Sequence, residues 1–174
     1  MKRILIIPIL IIFLTGCQKD ESPPLSGNVT LDNTLYGNGP YYELGYSFVL
    51  AEKLSTLEFP APDITIDNDD VPGNLMFEAN NRSNSFFLVG EYLPAEALQT
   101  FNGLTTIAIQ EQQWQGIGHA VRPNQVWIYR SGTEHYAKIR IISTKSESQS
   151  PRDYAECTFD WMYQSDGSLT FPGK

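Results

Sequence analysis

Residues 154–164, YAECTFDWMYQ, alternate strictly in polarity. Ala155, Cys157, Phe159, Trp161 and Tyr163 fall on one side of an extended chain, and Glu156, Thr158, Asp160 and Met162 on the other. A two-residue period belongs to a strand, and a clean apolar/polar split belongs to an antiparallel sheet with one buried face. A slip of one residue would turn Phe159 and Trp161 out into water. Burying each is worth about 2–3 kcal/mol, against a few tenths for an ion pair on the outer face. The core face therefore sets the register. The outer acids are left to face Lys138 and Arg140, and Cys157 reads as a small buried apolar residue.

The same pattern recurs upstream. NQVWIYR and HYAKIRIIS, with the turn formers Ser131-Gly132 between them, predict a hairpin. YELGYSFVL predicts a strand with Leu44, Tyr46, Phe48 and Leu50 on one side. DITID, NLMFEA, SFFLVGEY and LTTIAIQ predict four more strands. NLMFEA and SFFLVGEY flank the turn formers Asn80–Asn84 and are expected to form a hairpin. One short helix is expected over 94–101, with Pro94 in its first turn, Leu98 and Phe101 on one face and Gly103 at its end. The fold class is all-β, an antiparallel sandwich or curled sheet with that one helix.

The first residues carry an address. Lys2 and Arg3 precede an apolar run, Ile4–Leu14, of signal-peptide length, shorter than the roughly 20 residues of a spanning helix. Leu14-Thr15-Gly16-Cys17 resembles the lipobox of bacterial lipoproteins, cut before a cysteine that carries acyl chains such as palmitate. Gln18-Lys19-Asp20-Glu21 resembles the signal that exports lipoproteins of Bacteroidetes to the outer face of the outer membrane. The resulting plan is a cleaved signal over 1–16, a lipidated tether over 17–38, rich in Pro, Gly and Asn, and a single β-rich domain over 39–174. Two or more acyl chains hold a protein stably to a membrane. Without residues 1–16 the chain keeps 10 basic and 20 acidic residues, a charge of −10. Such a surface excludes nucleic acid as a partner. With Cys17 acylated, Cys157 has no disulfide partner within the chain.

GYSF (45–48), DITI (63–66), Arg130 and Gly132 in a turn, Tyr136-Ala137-Lys138-Ile139, and Thr158-Phe159 through Tyr163 together resemble the HmuY-like lipoproteins of Bacteroidetes. That resemblance implies an all-β surface protein holding haem, or a related tetrapyrrole, between two axial side chains, histidine or methionine. The candidates here are His119, in the glycine-flanked stretch QGIGHAV and expected on a loop, His135 beside the Gly132 turn, Met162 and Met76. The alternative is an interaction module without haem, either an accessory subunit of an outer-membrane complex or a domain that binds an envelope protein or a glycan through an aromatic patch, with Trp114, Trp127 and Tyr129 as stacking candidates.

Other chemistries find no footing. There is no Gly-x-Ser-x-Gly, phosphate loop, dinucleotide fingerprint or His-Glu-x-x-His. DNDDVPG (67–73) clusters three carboxylates, but Val71 and Gly73 break the alternate spacing of a calcium loop. Glu156 and Asp160 share a strand face rather than a cleft. The chain reads as a non-enzymatic binding protein.

Overall fold

A computed structural model describes residues 25–39 and 42–173. The signal sequence, Cys17 and the Gln18–Glu21 stretch lie outside the described residues. Among the described residues ten strands form two antiparallel five-stranded sheets. They are β1 (Ser26–Asp32), β2 (Leu44–Ser47), β3 (Glu52–Ser55), β4 (Ile64–Asn68), β5 (Leu75–Ala79), β6 (Phe86–Glu91), β7 (Ile117–Val121), β8 (Gln125–Arg130), β9 (Tyr136–Glu147) and β10 (Tyr154–Gln164). One sheet runs β1-β10-β9-β8-β6 and the other β3-β2-β4-β5-β7. The helix α1 (Pro94–Gly103) joins β6 to the segment before β7. The all-β class stands.

The sheets pack face to face through aromatic rings. Trp161 meets Tyr46 at 5.5 Å and Phe48 at 5.9 Å between ring centroids. Phe159 meets Phe77 at 5.8 Å. Ala155, Cys157, Phe159, Trp161 and Tyr163 all lie in this core, the face that the alternation selects. The β8–β9 and β9–β10 hairpins form as the pattern requires. Burial pushes the Cys157 thiol well above its usual range, so it packs and does not react.

Five expectations change. Residues 18–38 are not all tether, because Ser26–Asp32 pairs along its length with β10 and buries Leu31. Gly27, one of the glycines of that expected tether, is a strand residue over which the Trp161 ring lies: a Cβ there would stand 3.2 Å from the indole. β5 and β6 are not a hairpin but belong to opposite sheets. Phe77 and Phe86 both point into the core and stack at 6.0 Å, so the alternation is the same for a hairpin and for a crossover between sheets. LTTIAIQ is extended, with Ile107 and Ile109 half-buried, but finds only the single bridge Thr106–Thr170 in place of a ladder. In α1 the buried face is Ala97 and Phe101, four apart, while Leu98 is 43% exposed.

The outer face of the β10 sheet is also not simply solvated. Val126, Ile128 and Met162 form a second core there with Phe101, Trp114 and Phe171. Asp160 does face Arg140, in an ion pair of 2.5 Å. Lys138 instead stands opposite Met162, fully buried; its Nζ donates to the Leu104 carbonyl at 2.9 Å and lies 5.1 Å from the Phe101 ring centre. Arg130 is likewise buried, forked onto Glu111 at 2.7 and 2.9 Å and lying over the Trp114 ring.

Candidate functional site

The sandwich has two chemically different ends. At the proximal end β1 begins: Ser26 pairs with Met162, and the Leu25 carbonyl accepts from the Tyr163 N–H. The β8–β9 turn (131–135), the β2–β3 turn and the start of β4 share this end. Here the buried Asp63 carboxylate accepts from the Phe48 N–H at 2.8 Å and from Asn81 Nδ2 at 3.0 Å. The Tyr129 hydroxyl lies 3.2 Å from Asp63 Oδ1 and 2.9 Å from Asn81 Oδ1. Asn81 also accepts from the Gly132 N–H. Burial raises the Asp63 pKa more than these donors lower it. Beside this network a cavity of about 450 Å³ has a polar floor of Asp63, Asn81, Ser131 and Thr133, and an apolar wall of Val49, Leu50, Pro60 and Ala61.

The distal end gathers charge. Arg152, in the β9–β10 turn, donates to Glu43 Oε2 at 2.9 Å and forks onto Asp67 through Nη2 and Nε. Asn33 Nδ2 donates to Asp67 Oδ1 at 2.9 Å, and the Ala155 N–H donates to Asn33 Oδ1 at 2.8 Å, fixing this corner to β10. Glu43, Asp67, Glu78 and Arg152 line a cavity of about 680 Å³ with Gly37, Gly39 and Pro151. Gly37 and Gly39 press on the ring of Tyr42, where a Cβ on either would stand 2.3 Å from a ring carbon. Tyr42 meets Tyr36 edge-on at 5.8 Å, and both rings are partly exposed.

Three carboxylates surround one guanidinium, so the site carries excess negative charge. Burial raises Glu43 and then Arg152 lowers it, with Asp67 and Glu78 pushing it back up. Glu78 is raised by burial and then by Asp67. Burial would lower the Arg152 pKa, but Asp67 and Glu43 hold it above its ordinary value. The cleft presents several hydrogen-bond acceptors around one guanidinium held by Glu43 and Asp67, and the Tyr42 ring packs behind its Gly37 and Gly39 wall.

The four haem-ligand candidates do not converge. His119 lies on strand β7 rather than on a loop, exposed at the sheet edge, with Nδ1 3.3 Å from Asp69 Oδ2. His135 is half-buried at the proximal end, Nδ1 2.8 Å from the Tyr163 hydroxyl, whose pKa burial and then Asp63 push up to about 12. Met162 is sealed in the second core. Met76 is half-buried on β5, between the Phe77–Gly118 and Leu75–Val121 pairs. It therefore lies opposite the His119 stretch on the same outer face, not across a gap from it. None of the four lines either cavity, and they do not fit a two-ligand haem clamp.

The stacking candidates Trp114, Trp127 and Tyr129 are all buried. Glu156 accepts from the Tyr154 hydroxyl at 2.6 Å. Among the described residues no group of three or more His, Cys, Asp or Glu is placed to hold a metal ion. No helix among them is long and apolar enough to cross a membrane.

Sequence reasoning found Asp67 within its acidic turn but missed Arg152, Glu43 and Glu78. Glu43 and Glu78 are lone charges in their own segments and Arg152 sits beside Asp153 in a turn, and only the pairing of β4 with β2 and β5 and the β9–β10 turn brings them together. No family model matches this chain, and no curated protein matches it either.

Proposed function

We propose that the chain is a non-enzymatic binding module of a cell-surface lipoprotein, held at the outer membrane through Cys17, and that it takes a glycan in the Arg152 cavity. The observation that carries this reading is the cluster of Glu43, Asp67 and Glu78 around Arg152, beside Tyr36 and Tyr42. Carboxylates accept from vicinal hydroxyls, a guanidinium donates to ring and hydroxyl oxygens, and tyrosine rings cover the apolar face of a sugar. The negative excess disfavours a polyanion.

The test is calorimetric titration of the domain with a panel of neutral and amino-sugar oligosaccharides. Arg152→Ala is expected to weaken the binding member by about 10–100-fold, as for loss of a charged hydrogen bond. Glu78→Gln, nearly isosteric and without a side-chain hydrogen bond among the described residues, is expected to weaken it several-fold without unfolding the site. Binding unaffected by both changes, or no binding across the panel, overturns the glycan reading.

The second reading is a haem or related tetrapyrrole bound through His119 alone. Asp69 faces Nδ1 of that exposed imidazole, an arrangement that orients a histidine with Nε2 outward. It predicts a saturable, sharpened Soret band on haem titration that His119→Ala abolishes. A featureless, non-saturating curve removes it.

A further inference from the structure

The proximal end bears an apolar rim that neither reading uses. Phe59, next to Pro60 in the cavity wall, is 98% exposed, and Val49 and Leu50 in the β2–β3 turn are also exposed. Leu25, where β1 begins, is exposed at the same end. Three large apolar side chains around one cavity mouth, with a fourth at the same end of the sandwich, need an occupant.

The length of the preceding segment selects that occupant. From Cys17 to Leu25 the chain spans at most about 28 Å even fully extended, whereas a domain of this size is roughly 40 Å across. A lipid on Cys17 therefore keeps the proximal end near the bilayer and the distal end away from it. We propose that Phe59, Val49 and Leu50 form a membrane-contacting face that seats the domain on the lipid surface, with Phe59 entering the interfacial layer. This rests on the lipoprotein reading above. Aromatic and aliphatic side chains gain free energy at that depth without a spanning segment. The rim of the adjoining cavity contributes only the uncharged Ser131, Gly132 and Thr133, and the nearby Glu134 is paired with Arg82 at 3.5 Å. Glu58, next to Phe59, and Glu52, two residues from Leu50, are exposed beside these apolar side chains, so the face suits a zwitterionic surface and disfavours anionic lipid. It also aims the Arg152 cavity outward, where an extracellular ligand can reach it.

Site-directed nitroxides test this on the full lipidated chain, purified from membranes and reconstituted into phosphatidylcholine vesicles. Cysteine is introduced at Phe59, at Leu50, and at the exposed Val71 of the distal β4–β5 turn as the control. Cys157 is fully buried and stays unlabelled. At positions 59 and 50 the ratio of oxygen to nickel-chelate accessibility is expected to exceed that at 71 several-fold. Equal, water-like ratios at all three positions in a chain that floats with the vesicles overturn the membrane face and leave the lipoprotein reading standing. An intact mass without acyl groups overturns the lipoprotein reading, and this proposal with it.

Discussion

Trp161→Ala is expected to cost about 4 kcal/mol, within the 3–5 kcal/mol range of large aromatic-to-alanine changes in a core. Trp161 is the ring on which Tyr46 and Phe48 of the opposite sheet converge, and Gly27 of β1 lies flat against it. Its loss opens a void between the sheets and beneath the edge strand at once. Against a total stability of about 5–15 kcal/mol for a domain, little would remain. Trp161→Phe is the informative partner. The indole Nε1 is buried with no hydrogen-bond partner among the described residues, so phenylalanine keeps most of the packing and removes an orphan donor. It loses only the outer ring of the indole and is expected to cost about 1–2 kcal/mol, well short of the alanine change. Urea midpoints at constant m-value measure both. An alanine variant as stable as the parent would contradict the placement of Trp161 at the centre of the core. A phenylalanine variant as damaged as the alanine one would mean that the N–H is satisfied from outside the described residues.

Asp63→Ala is the second large effect, expected at about 3 kcal/mol or more. It strands the Phe48 N–H and removes the acceptor near the Asn81 amide and the Tyr129 hydroxyl, all at buried or part-buried positions, and each stranded group costs about 1–3 kcal/mol. Asp63→Asn keeps an acceptor for Phe48 and is expected to cost much less. The pair also reads out charge. Burial raises the Asp63 pKa above its ordinary 3.8, so the folded chain holds this proton to higher pH than the unfolded chain does. Its contribution is therefore most favourable in acid and is lost as pH rises from about 3.8 through the raised folded value. Glu43 and Glu78, also raised, act in the same direction. The stability of the parent relative to Asp63→Asn is thus expected to decline as pH rises through the carboxylate range. A difference that grows with pH would show that the hydrogen bonds outweigh burial at Asp63.

The pH sign follows from where the acids sit. Asp160, on the outer face of β10, is held by an ion pair with Arg140. Asp63 lies under the crossover between the sheets, and its donors come from three separate segments. Nothing in the local string DITID distinguishes the two situations. Lys138 shows the same thing: in sequence it is an outward position of an alternating strand, yet α1 and the C-terminal segment fold over it through Leu104, Phe101 and Phe171; Arg130 is buried likewise under Glu111 and Trp114.

What the sequence determined by itself was whatever depends on a period of two. The core face of β10, the β8–β9 hairpin, the burial of Cys157 and the all-β class all follow from alternation and turn residues, because a strand repeats every two residues whatever it pairs with. Partner choice has no such local signature. Whether β5 turns back on itself or crosses to the other sheet, whether Ser26–Asp32 hangs free or closes an edge, and whether Val126, Ile128 and Met162 face water or a second core were decided only when the whole chain packed. The cavity residues Glu43, Asp67, Glu78 and Arg152 belong to that second class. Their proximity comes from long-range strand pairing and one turn, and the burial that shifts their charges exists only once those segments have met.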